Sequence, residues 1–93
     1  MPFTASQLKR AGKILAREMV VYPKVTAGMN LDDFVAAINA VDSFMDALPG
    51  TLNGAQTIKI NLVNSLPEPF KSNSTPKQKA LVLRIWAQLE VSG

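Results

Sequence analysis

The stretch from Thr75 to Val91 reads as a helix that is apolar around most of its circumference. At about 100° per residue, Leu81, Val82, Ile85, Trp86 and Leu89 form one broad stripe, while Ala80, Leu83, Ala87 and Val91 line most of the opposite side. Lys77, Arg84 and Gln88 make the continuous polar strip. Such a helix must be covered on more than one side. In a 93-residue chain it is either the central element of the fold or, in part, a contact surface for another subunit. Its charges oppose it, with Lys77 and Lys79 at the amino end and Glu90 near the carboxyl end, each disfavoured by the helix dipole. Burial has to hold it in place.

Proline and glycine set the other boundaries: Pro23, Gly28, Pro49-Gly50, Gly54, Pro67-Glu68-Pro69 and Pro76. They delimit four segments, and each opens with a helix N-cap signature, in which a short polar side chain accepts from a free amide and the residue three later reaches back. Thr4 with Gln7, Asn53 with Gln56 and Thr75 with Gln78 fit the capping box, and Asn30 with Asp33 is an acidic variant. Phe3 against Leu8 and Met29 against Phe34 add hydrophobic staples. The first helix packs Leu8, Ala11, Gly12, Leu15, Met19 and Tyr22 inward; the second packs Leu31, Phe34, Val35, Ile38, Val41, Met45 and Leu48.

These signals predict an all-α fold, a small compact bundle of four short helices over about 5–22, 31–48, 54–66 and 76–91, in a single domain spanning 1–93. Residues 54–66 carry two patterns. Ile58, Ile60 and Leu62 alternate with polar neighbours as in a strand, whereas Ala55, Ile58, Leu62 and Leu66 share a helical face. A strand here would have to find its ladder partner in another chain. Helix is the preferred reading, and residues 71–74 read as a polar loop.

Histidine and cysteine are both absent, which removes disulfides, thiolate nucleophiles, the commonest metal ligand and the usual general base near neutral pH. The serines have no histidine to activate them, and the glycines follow no phosphate-loop pattern. An enzyme is not expected, nor is a cofactor or a metal. Apolar residues make up 47% of the chain, but no apolar run approaches the roughly 20 residues of a membrane span. Met1-Pro2-Phe3-Thr4 leads into a charged, periodic segment and not into a signal-peptide core, so the expected location is cytoplasmic.

Charge is segregated. Residues 1–24 carry a net +4, residues 25–58 a net −4, and the remainder +3. Lys9, Arg10, Lys13 and Arg17 lie within about 100° of one another on the first helix, a basic rail suited to an acidic protein or a phosphate backbone. Asp32, Asn39, Asp42 and Asp46 form an opposite stripe on the second helix; Asp42 and Asp46 are expected to face that rail, in the same chain or a neighbouring copy. Lys71, Lys77 and Lys79 cluster at the start of the last helix, where free amides make a weak candidate anion site. Leu83, Trp86 and Ala87 are the candidate contact residues on the last helix.

In size, in lacking Cys and His, and in its proline-bounded helices, the chain resembles in style the small helical connector or accessory proteins of bacterial and phage assemblies; no motif carries the likeness. The function expected is a non-enzymatic protein–protein interaction or assembly module, binding itself or a larger protein. The alternative is a nucleic-acid-binding module using the basic face of the first helix and the lysines at the start of the last.

Overall fold

A computed structural model describes residues 3–47 and 61–92 of the chain. They form helices α1 (Ala5–Val21), α2 (Pro23–Thr26), α3 (Leu31–Ala47), α4 (Phe70–Asn73) and α5 (Pro76–Ser92), with residues 61–64 also helical. No strand occurs among the described residues. The all-α expectation holds, and the four-helix count needs correction, because single turns at α2 and α4 add to the longer helices.

Both extra turns have local causes. Pro23 disfavours the helical region for the residue before it, so α1 stops at Val21 and Tyr22 takes φ −128° and ψ 65°. Pro23 then sits in the first turn of a new helix, where its missing amide costs nothing. Leaving the helix also swings Tyr22 out; expected on the core face, it is 52% exposed. Residues 71–74, expected as a loop, belong largely to α4. Glu68 caps that turn through Ser72, accepting from its amide at 3.2 Å and its hydroxyl at 2.7 Å, and Phe70 is buried beneath it.

The long helices begin where their caps predict. Thr4 and Gln7 complete a reciprocal capping box, and Thr75 and Gln78 complete another. Asn30 Oδ1 accepts from the amides of Asp32 and Asp33. The Asn53 cap, residues 54–60 and Leu48 lie outside the described residues. Of the 54–66 segment, residues 61–64 are helical and not extended; Leu62 and Leu66 are both buried, and with Val63 they lie against Val41, Val82 and Leu83.

α3 and α5 make the most extensive helix contact. They run alongside in the same direction, since Asn30 and Ser74 border one small cavity and Asp42 meets Trp86 a few turns later. α1 packs on both. Phe34, Ile38, Val41, Val82, Ile85 and Leu89 centre the core, each contributing about 1.5 to 3 kcal/mol through burial. Ala11, Ile14 and Leu15 supply the α1 side. Leu31, expected inside, is 50% exposed in the first turn of α3, with its Cδ1 over Gly12. α5 is thus the central element, covered along Leu81, Val82, Ile85 and Leu89, while Ala80, Ala87 and Val91 remain exposed.

Candidate partner-binding surface

The outward half of α1 is the most strongly featured surface. Lys9, Arg10, Lys13 and Arg17 are all exposed, as the periodicity predicts. Val20 and Val21 continue the same half toward the end of the helix and are 80% and 57% exposed. With Tyr22 they make three consecutive large apolar residues in contact with water. Valine has modest helix propensity and gains nothing from hydration, so local stability does not account for this run.

Beside Tyr22 a groove of about 340 Å³ opens between α1, α2 and α5, lined by Val25, Lys77, Ala80, Leu81, Arg84 and Glu18. It abuts a second open hollow along Lys24, Thr75 and Pro76. Arg84 Nη2 lies 3.4 Å from Glu18 Oε2. That buried oxygen makes no hydrogen bond, so the contact is an ion pair without aligned donor geometry. Lys24 and Lys77 are exposed at the rim, so the groove couples apolar walls with positive charge.

The other candidates are distributed differently. Asp42 was expected on an exposed acidic stripe facing the basic rail; it is buried instead, 1% exposed, and Oδ1 accepts from Trp86 Nε1 at 3.2 Å. The rotation of α3 that puts Ile38 and Val41 into the core carries Asp42 with them. Asp46 is exposed. Trp86 is half-buried against the core, as is Leu83, which the 61–66 segment reaches. Of the three contact residues expected on α5, Ala87 is the exposed one.

Compared with protein-family models, curated proteins and solved structures, the chain matches none. The surface therefore has to be read from its own chemistry.

The lysines at the start of α5 do not converge. Lys77 and Lys79 fall about 200° apart on the helix; Lys77 lines the groove, and half-buried Lys79 donates to Ser74 O at 3.0 Å. Lys71 is half-buried on α4. The amide of Gln78 is taken by Thr75 Oγ1 and that of Lys79 by Thr75 O, and Pro76 has none, which leaves little for an anion to accept from.

Two connections escaped the sequence reading. Gln78, read only as half of a capping box, is 6% exposed and bonds to the α2 turn. Glu90, read only as a misplaced charge, has its carboxyl held above the ordinary value by a hydrogen bond with Asp42, then by desolvation, then by the Asp42 charge. The spacing of Trp86 and Glu90, one turn apart, was the available signal for the second. Among the described residues no helix is long and apolar enough to cross a membrane, and no three His, Cys, Asp or Glu side chains gather as a metal site requires.

Proposed function

We propose that this chain is a non-enzymatic protein–protein interaction module, an accessory or connector component of a larger assembly. Its docking surface is the outward half of α1 with the groove beside Tyr22, and its partner presents an acidic, amphipathic segment. The exposed Val20-Val21-Tyr22 run, continuous with Arg17 and Lys13 and opening onto a groove rimmed by Lys24 and Lys77, carries this reading. Apolar contacts supply the affinity, and the cations supply on-rate and discrimination against basic partners. Charge complementarity selects a different protein over a second copy, because a two-fold dimer through this face sets the same cations against each other.

The test combines cross-linking in the natural host with light scattering of the purified complex. Wild type is expected to form a nuclease-resistant complex that added salt weakens, and Arg17→Glu and Tyr22→Ala are expected to lose it. A protein that stays monomeric and is cross-linked identically in all three forms overturns the proposal.

A nucleic-acid reading is favoured by one observation, the exposure of Lys9, Arg10, Lys13 and Arg17 along one rail. It requires affinity for duplex or single strands that falls steeply with salt and drops on reversing Lys13 or Arg17. Binding that is absent, or indifferent to salt, ends that reading.

A further inference from the structure

Asp42 is the most deeply buried charged side chain among the described residues, at 1% exposure. Its Oδ1 accepts from the Trp86 indole, whereas Oδ2 is equally inaccessible and meets no donor. A carboxylate oxygen left bare in that position is costly. Glu90 follows Trp86 by one helical turn, so it lies on the side of α5 from which Trp86 meets Asp42.

We infer that protonated Glu90 closes on the Asp42 carboxylate, making a proton-dependent latch that ties the final turns of α5 to α3. Protonated Glu90 donates its O–H to Asp42 Oδ2, so each Asp42 oxygen has a donor. Raising the pH releases that proton to solvent and leaves two carboxylates in contact, one of them buried. The raised proton affinity of Glu90 agrees with this arrangement, since the hydrogen bond to Asp42 is its largest cause.

The surrounding charges do not replace this proton. Asp46, one turn further along α3, adds negative charge at this end and has an interaction of its own. Arg84, nearest in sequence on α5 among the cations, is turned to Glu18 of α1.

The sign follows from linkage. Glu90 binds its proton more tightly in the folded chain, so the stabilisation is fully present below the ordinary value of 4.5 and is lost as pH rises through the folded value above it. The chain has a single tryptophan, and it touches Asp42, so emission reports on the pair.

The experiment titrates the full chain from acid to neutral pH, following Trp86 emission together with the Glu90 side-chain carboxyl carbon by NMR. Wild type is expected to show both signals changing with a common midpoint above 4.5. Glu90→Gln, whose amide still donates to Oδ2, is expected to lose the emission step while keeping its far-ultraviolet circular dichroism. Its urea midpoint should be flat across the window in which the wild-type midpoint falls. A Glu90 carbon that titrates at or below 4.5, or an emission step that persists unchanged in Glu90→Gln, overturns the latch. Glu90 is exposed, so the variant is expected to fold; if it does not, the NMR midpoint of the wild type decides alone.

Discussion

Gln78 Nε2 donates to the carbonyl of Val25 at 2.9 Å, and also to that of Ala27 at 3.0 Å, so one side chain fastens the α2 turn to the first turn of α5. The same side chain accepts from the Thr75 amide at 3.1 Å through Oε1. Each end of the amide is therefore committed, the donor end to a distant carbonyl pair and the acceptor end to its own helix cap.

Gln78→Glu separates the two ends. A carboxylate still accepts from Thr75, but it offers nothing to the two carbonyls and repels them. The loss of a buried donor pair is expected to cost about 2 to 3 kcal/mol, seen as a lower urea midpoint at unchanged slope. Gln78→Met, which removes the charge but not the bulk, is expected to fall between that variant and wild type.

The two described glycines with defined surroundings are expected to respond in opposite directions to alanine. Gly28 has φ +81° with open space where a Cβ would go, so Gly28→Ala carries a backbone penalty of about 1 to 2 kcal/mol and no steric one. Gly12 lies inside α1, and an added Cβ would meet Leu31 Cδ1 at 3.5 Å, an ordinary contact. Gly12→Ala is therefore expected to stabilise the chain by about 0.5 to 1 kcal/mol through helix propensity. Thermal midpoints of the two variants against wild type check both signs.

Local chemistry is what the sequence made legible. The Thr4 and Thr75 capping boxes, the Asn30 cap and the helix starts they fix are short-range and read directly from residue spacing. The core stripe of α5 was equally readable, because Leu81, Ile85 and Leu89 repeat at one helical turn. Asp42 was misplaced because its neighbours Asp32, Asp46 and Asn39 suggest a wet face, and charge alone does not reveal that an indole and a second carboxyl are waiting across the helix pair. Tyr22 was misplaced for a backbone reason, since Pro23 ends α1 one residue before the periodic pattern does. On the candidate surface, the basic rail was visible from spacing. The adjoining groove was not, because it depends on how α2 and α5 meet.

Trp86 and Asp42 should show the asymmetry of a buried polar pair. Trp86→Phe removes the donor and leaves the Asp42 carboxyl inaccessible with one partner fewer, at an expected cost of about 1 to 3 kcal/mol. Adding Asp42→Leu to that variant removes the stranded group as well and is expected to recover part of the loss. A double-mutant cycle by denaturant melts measures the coupling; additive costs would mean that the two side chains do not support each other.

Ala87 and Tyr22 distinguish the surface expected on α5 from the one found beside α1. Both side chains are exposed, so neither substitution disturbs the core. Ala87→Arg puts a bulky cation on the outward side of α5 and is expected to leave stability within about 0.5 kcal/mol of wild type, with partner recovery unchanged. Lys77→Glu exchanges a charge opposed by the helix dipole for one that it favours, so stability is expected to hold or rise slightly. Its position in the groove beside Tyr22 nevertheless predicts that it lowers recovery of an acidic partner, with Tyr22→Ala acting in the same direction. Melting curves and quantitative co-precipitation on the same three preparations separate folding from binding. Loss of partner in Ala87→Arg with retention in Lys77→Glu would move the docking face to α5.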